Sequence, residues 1–370
     1  MSDNKYTDEF FEEYERKMNT ASKIEAERKS IAPHTSKIKG VSVLGIVIAS
    51  VALLLVVTII VGLLWPPATP TPESADNNTS GVAEEKQEKP IFKIFETENT
   101  TAFAYDIKSE HGVLIDANTG EIIYKKNSSD VIYPASLTKI LTLLVAVENI
   151  ENLDDTFTMT SEIIDPHYRV DASMAGFAPD EVITIRDLLY GAILPSGADA
   201  TTALGIYVAG TEDAFASLMN EKAKELGLTT AHFCNTSGLH DEGHFCTVGD
   251  IAVILKAAIE NETCKKILST YQYTTSATEQ NPEGILLTST LFSRMKGDEP
   301  EGAVILAGKT GFTDEAGNCI ASFGTTDDGK KVIMVTTNAQ GKWPSVFDHI
   351  HTYSTLCPES KTESGTEIPS

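Results

Sequence analysis

Basic side chains are in short supply in this chain. Lys and Arg number 29 against 53 Asp and Glu, a formal net charge of −24 at pH 7 over 370 residues. Nucleic-acid binding depends on Lys and Arg neutralising phosphates, so a deficit this large argues against a nucleic-acid partner. Cysteine is sparse, at five residues, and the odd count leaves at least one thiol unpaired in a monomer. Cys234 and Cys246 are close enough in sequence to bridge a loop; the alternative is that all five are small buried side chains. No segment repeats. Apolar residues make up 41% of the chain, the ordinary share for a protein with a sizeable core.

What is present first is an apolar run. Val41 to Leu64 reads VSVLGIVIASVALLLVVTIIVGLL, 24 residues without a charge. At about 1.5 Å per residue a helix of this length crosses a bilayer core. The run is longer than the apolar part of a secretory signal and is followed by WPPATPTPE rather than a small-residue cleavage site, so it reads as an uncleaved anchor. Arg28, Lys29, Lys37 and Lys39 precede it, whereas the first charges after it are Glu73 and Asp76. The positive-inside rule then places the N-terminus in the cytosol and the remainder outside. Residues 1–40 hold eight basic and eight acidic side chains, so the whole charge deficit falls beyond the membrane. The expected organisation is a cytosolic tail at 1–40, a transmembrane anchor at 41–64, an extracellular linker at 65–94, a folded domain at 95–357 and a polar tail at 358–370. The linker is rich in Pro, Thr, Ser, Asn and Glu, a composition that buries no core.

Inside the domain the periodicity changes twice. HGVLIDANTGEIIYKK reads as a hairpin turning at Asn118-Thr119-Gly120. PASLTKILTLLVAVENI, IRDLLYGAIL, DATTALGIYVAG, TEDAFASLMNEKAKELG and TVGDIAVILKAAIEN read as helices. The last two start at the N-cap candidates Thr211 and Thr247, and Pro195-Ser196-Gly197 separates the second from the third. AVILAGKTG, NCIASFGTT and KKVIMVTTN then read as strands, the last two joined at Asp327-Asp328-Gly329. Strands open and close the domain with helices between, which predicts an α+β fold: an antiparallel sheet made from both ends of the domain, flanked by helices, with a helical block inserted.

Three short phrases carry chemistry. Ser136 and Lys139 form a Ser-x-x-Lys pair at the start of an apolar helix, where residues three apart share a face. The pattern recurs at Ser36/Lys39, in the basic flank, and at Ser293/Lys296, which reads as a polar loop. At a helix N-terminus a developing oxyanion is stabilised. A desolvated lysine loses basicity and is able to act as general base toward a serine. Taken alone, the pair is better explained by a lysine snorkelling out of a core helix. Ser196 sits at the helix break LPSGADA, and Lys309-Thr310-Gly311 ends a strand; each alone reads equally well as plain structure. Their order and placement together reverse the balance.

The phrases LIDANTGEIIYKKNSSDVIYPASLTKILT, LLYGAILPSGADA, NTSGLHDEGHFCTVGDIAVI and GKTGFTDEAGNCIAS resemble the low-molecular-mass penicillin-binding proteins, the serine D-alanyl-D-alanine carboxypeptidases of the peptidase S11 type, over about residues 100–340. The resemblance implies a β-lactamase/transpeptidase-like fold and cleavage of the terminal D-alanine from peptidoglycan pentapeptide stems through a serine acyl-enzyme. β-Lactams would be inhibitors, and no metal or cofactor would be needed. It implies Ser136 as nucleophile, Lys139 as its general base and Ser196 as proton relay to the leaving amine. Lys309 would contact Ser196 and the substrate carboxylate, and Thr310 or Thr313 would bind that carboxylate. The backbone N–H groups of Ser136 and Phe312 would form the oxyanion hole, with Gly311 letting the strand come close. Two departures stand out. The family usually has Asn two residues after the second serine, where this chain has Ala198, so an amide that binds substrate and supports Lys139 is missing. The family often continues into a β-rich domain and an amphipathic membrane helix, which this chain is expected to lack, the N-terminal anchor doing the tethering.

Three other readings compete. A β-lactamase needs a base for deacylation, commonly Glu with a nearby Asn, and no such pair follows the second motif. A zinc peptidase is suggested by His232, Cys234, His240, His244 and Cys246 lying within 15 residues; the GLHDEGH phrase fits a structural loop of the family instead. A catalytically impaired module that grips wall peptide is suggested by Ala198.

Overall fold

The structure, a computed structural model, describes residues 91–356. The predicted cytosolic tail, the apolar run 41–64, most of the linker, the polar tail, Cys357 and the Ser36/Lys39 pair lie outside the described residues. Among the described residues no helix is long and apolar enough to cross a membrane.

The chain enters the sheet with β1 (Ser109–Asp116) and β2 (Ile122–Lys126), joined by a turn at Gly120, whose φ of 82° favours glycine. A single 3₁₀ turn (Ala135–Leu137) leads into α1 (Thr138–Asn149). The helical block follows. It comprises β3 (Thr156–Thr158), α2 (Ser161–Arg169), β4 (Val182–Thr184), α3 (Ile185–Ile193), α4 (Ala198–Ala209), α5 (Glu212–Glu225), α6 (Val248–Glu260) and α7 (Glu262–Leu268). A small ladder of β5 (Gln272–Thr274) and β6 (Leu286–Thr288) and the short α8 (Thr290–Met295) lead to β7 (Ala303–Thr313), β8 (Gly317–Thr326) and β9 (Lys331–Ala339). The last described element is α9 (Lys342–Thr355).

The five-stranded sheet has the order β2-β1-β9-β8-β7, every pair antiparallel, with Val113 opposite Val335 and Lys309 opposite Ala321. The first hairpin of the domain therefore lies beside its last strand, as the periodicity predicts. Both faces of the sheet are covered. Val113, Ile115, Ala321, Phe323, Ile333 and Val335 belong to the core shared with the helical block, whereas Leu114, Ile320, Val332 and Met334 pack with Val346, Ile350 and Tyr353 of α9. Double coverage explains why β9 reads as a continuous apolar run rather than an alternating one.

Thr211 and Thr247 are the N-caps of α5 and α6, and Thr247 with Asp250 closes a full capping box. The helix α9 was not visible in the sequence. Its buried face mixes Val346, Ile350 and Tyr353 with Ser345, Asp348, His349 and Thr352, so the apolar stripe is narrow and broken up by polar residues. Partners across the interface satisfy most of that face. Asp348 accepts hydrogen bonds from Ser109 N and Lys108 N, and His349 bridges Ser322 and Thr336. One assignment is corrected: Ser293 and Arg294 lie in the helix α8, not in a polar loop. The four described cysteines are free thiols, so Cys234 and Cys246 form no bridge.

Candidate active site

The site is a cleft of about 1000 Å³ where the 3₁₀ turn, the α3–α4 break and strand β7 converge. Two backbone positions set its shape. Ala135, just before the nucleophile candidate, has φ 48°, and Ser196 has φ 69°; neither is glycine. Positions of this kind cost about 1–3 kcal/mol each and persist where the surroundings over-determine them. Here the surroundings are specific. Gly238 packs so closely on Ala135 that an added Cβ would come within 1.8 Å of its carbonyl oxygen. Around Ser196, Gly197 N donates to Gly191 O and Ala198 N donates to Ser173 O.

The 3₁₀ turn and α1 bring Ser136 and Lys139 together: Lys139 Nζ lies 2.9 Å from Ser136 Oγ. Lys139 does not snorkel. It is 2% exposed, and its ammonium donates to the carbonyl of Ser237 at 2.6 Å. Burial pulls its pKa down to about 7, while the carboxylates of Asp199 and Glu212 partly oppose that pull. The carbonyl of Ser237 thus gives the support that the missing amide at Ala198 leaves open. Ser196 is 5% exposed and lines the cleft with Ala198.

Strand β7 forms the opposite wall. A Cβ on Gly311 would stand 3.1 Å from the backbone N of Ser136, a tight contact, so glycine lets the strand pass close to Ser136 without displacing it. Thr310, Gly311, Phe312 and Thr313 all line the cleft, and Phe312 is 56% exposed at its mouth. Thr310 Oγ1 is 2.7 Å from Thr290 Oγ1 at the start of α8, whereas Thr313 Oγ1 accepts from Ala316 N in the β7–β8 turn. Lys309 lies behind the wall rather than in it. It is 1% exposed and donates to the carbonyl of Thr310. Burial, then the nearby cations Lys139 and Arg294, push its pKa well down.

Arg294 is the site residue that the sequence reading missed. It lines the cleft from α8, and among the described residues its side chain has no hydrogen bond or ion pair. Burial pulls its pKa down. Its guanidinium puts a cation at this end of the cleft, a setting for a carboxylate. The only sequence signal was its place in Ser293-Arg294-Met295-Lys296, where the Ser-x-x-Lys pattern drew attention to the wrong pair.

The His and Cys cluster does not converge on a metal. Among the described residues no group of three or more such ligands is placed to hold an ion. The ring nitrogens are committed elsewhere. His232 Nδ1 is bonded to Gly243 O, and His244 accepts from Cys234 N and reaches Thr138 Oγ1 through Nε2. Burial pulls the His244 pKa down to about 4, so the ring is neutral at pH 7. His240 packs edge-on against Tyr133, with Glu315 3.7 Å away.

A Ser-x-x-Lys turn, a second serine at a helix break and a Lys-Thr-Gly strand meet around one cleft of a β-lactamase/transpeptidase-like fold, the arrangement expected of an active-serine site. The chain belongs to the peptidase S11 family, D-alanyl-D-alanine carboxypeptidase, which matches residues 97–341. It is 31% identical over 240 residues to a protein of Bacillus subtilis named D-alanyl-D-alanine carboxypeptidase DacF, covering 64% of this chain and 58% of that one. It is 30% identical over 230 residues to the D-alanyl-D-alanine carboxypeptidase of Streptomyces sp. K15, covering 60% of this chain and 78% of that one. The crystal structure of the Streptomyces K15 DD-transpeptidase superposes with a TM-score of 0.61 at 27% identity, over 68% of this chain and 99% of that one. The chain therefore spans a little over half the length of the Bacillus relative.

Proposed function

We propose that this chain is a membrane-anchored serine carboxypeptidase that removes the terminal D-alanine from peptidoglycan pentapeptide stems and is acylated by β-lactams. The observation that carries the reading is the buried Lys139 amine, 2.9 Å from Ser136 Oγ, with a pKa near the operating pH. Ser136 Oγ attacks the carbonyl carbon of the penultimate D-alanine as its proton passes to Lys139 Nζ. The oxyanion is held by the N–H groups of Ser136 and Phe312; such donors lower the barrier by about 2.7–4 kcal/mol each. The C–N bond then breaks, and the leaving D-alanine amine takes a proton relayed through Ser196. Water hydrolyses the ester, with Lys139 again as base. Thr310 and Arg294 bind the terminal carboxylate, and its negative charge offsets the cost of keeping Lys309 protonated behind them. The run Val41–Leu64 would tether the domain outside the cell membrane.

The test is intact-mass spectrometry of the full-length chain in detergent after exposure to a penicillin. One covalent adduct, mapped to Ser136 and lost in Ser136→Ala, is the expected result. An adduct that persists in Ser136→Ala moves the nucleophile elsewhere. No adduct, with retained affinity for stem peptide, favours the wall-peptide-binding module that Ala198 suggests.

A further inference from the structure

With alanine at position 198, the direct partner of the Lys139 ammonium is a main-chain carbonyl, that of Ser237. A carbonyl is only as well placed as the turn that carries it. Residues Asn235 to Gly238 form that turn. Asn235 Oδ1 accepts from Ser237 N and from Gly238 N, which fixes its inner geometry. Its position relative to α1 depends on Thr236, which is wholly buried. Thr236 O accepts from Thr142 Oγ1, on α1 one turn beyond Lys139. On the far side, both donors of Thr236 converge on one carboxylate oxygen: its N at 3.0 Å and its hydroxyl at 2.6 Å from Glu212 Oε1. Glu212 is the first residue of α5, and Asn220 two turns along the same helix pairs with both N and O of Phe233. Helix α5 thus grips the segment at two points, and the grip at Glu212 lies one residue from the carbonyl that holds the base.

We propose that Glu212 is a positioning residue for the general base: it fixes the Thr236–Ser237 turn and places a negative charge behind the Lys139 ammonium. Glu212 touches neither substrate nor Ser136, so it acts through the turn and through its charge. The charges around Lys139 come from several elements. Asp199 of α4 and Glu212 of α5 favour its ammonium form. Lys309 of β7 is the neighbouring cation, and His167 of α2 and His244 of the 232–247 segment are the nearby imidazoles. The two carboxylates therefore oppose burial and keep the amine basic enough to take a proton from serine near neutral pH.

The inference rests on the acylation chemistry proposed above, and its test separates the two. The rate of acylation by a fluorescent penicillin is followed from pH 5 to pH 10 in the full-length chain and in Glu212→Gln and Glu212→Ala. The Lys139 titration is read in parallel from the NMR signal of its isotope-labelled Cε, assigned with Lys139→Arg. In Glu212→Gln the amide oxygen still accepts from Thr236 but the charge is gone. The rise of the acylation rate with pH, and the NMR midpoint with it, is expected to move to lower pH. In Glu212→Ala the turn loses its anchor as well, and the maximal rate is expected to fall about 10- to 100-fold, the scale of a misplaced catalytic group. An unchanged midpoint in both variants, whether or not the rate falls, overturns the proposal and leaves Glu212 a structural residue. If the parent is not acylated, the functional reading fails, and the NMR midpoints in parent and Glu212→Gln still decide the role of Glu212.

Discussion

At the scale of single residues, the question left by the sequence is what alanine does at position 198. Ala198 lines the cleft, and its backbone N–H is held by Ser173 O. Lys139 is served by the carbonyl of Ser237, so the proposed base does not depend on an amide at 198. The substrate backbone does lose a donor and an acceptor there. A neutral hydrogen bond contributes about 0.5–1.5 kcal/mol net. Ala198→Asn should therefore raise kcat/KM for release of D-alanine about 2- to 10-fold, with little change in the pH midpoint set by Lys139. Steady-state D-alanine release across pH 5–10 measures both quantities. A fall in kcat/KM would show that this cleft has been rebuilt around the methyl group. Ser136, Lys139, Ser196 and Lys309-Thr310-Gly311 were legible as residues because each motif is local, three or four positions long. Arg294 and Ser237 were not. Arg294 joins the cleft only when the short helix α8 packs beside β7, and Ser237 contributes its main chain, which has no residue-type signature.

At the scale of elements, the strands and the long helices were legible because their apolar residues recur with a period of 2 or 3.6 and their ends carry caps. The helix α9 was hidden by the polar residues on its buried face, whose hydrogen bonds to Ser109, Ser322 and Thr336 come from distant parts of the chain. The short ladders β3–β4 and β5–β6 have three residues per strand, too few to show a period. Contacts between elements also separate glycines that look alike in sequence. Gly210 and Gly238 both have φ near 80°. Gly210 ends α4 with nothing within 4 Å of an added Cβ, whereas Gly238 presses the 235–238 turn onto Ala135 O. Gly210→Ala should cost about 1–2 kcal/mol of stability from the left-handed backbone alone and leave acylation unchanged. Gly238→Ala should displace the nucleophile segment and lower the acylation rate about 100-fold. Thermal denaturation with stopped-flow penicillin acylation measures both; equal effects of the two substitutions would mean that the 235–238 turn does not position Ser136.

At the scale of the whole molecule, the polar groups buried between sheet and helices make stability depend on pH. His349, wholly buried between Ser322 and Thr336, has its pKa lowered by desolvation to about 3, and His244 to about 4. In the unfolded chain both titrate near the ordinary histidine value of about 6.5. Between those values the unfolded state binds protons that the folded state does not, so stability rises with pH there. The contribution is fully present above about pH 6.5 and is lost as pH falls toward the folded values. Asp199 and Asp348, whose pKa values are raised chiefly by burial, act in the opposite sense. Their contribution is fully present below the ordinary carboxylate value and is lost as pH rises through the raised folded values, so it offsets part of the histidine effect. Across pH 6.5 to 5 each of these two histidines should remove about 1.6 kcal/mol, one pKa unit being about 1.36 kcal/mol and the unfolded imidazole half protonated at pH 6.5. His349→Gln isolates one of them: a glutamine can still bridge the two hydroxyls but takes up no proton. Its midpoint in urea at pH 7 is expected to lie below that of the parent, since the packing is imperfect. The loss of stability between pH 6.5 and 5 should shrink by about half of the two-histidine total. Urea titrations of both proteins at half-unit pH steps give the comparison; parallel pH curves for parent and variant would show that His349 already carries its proton in the fold.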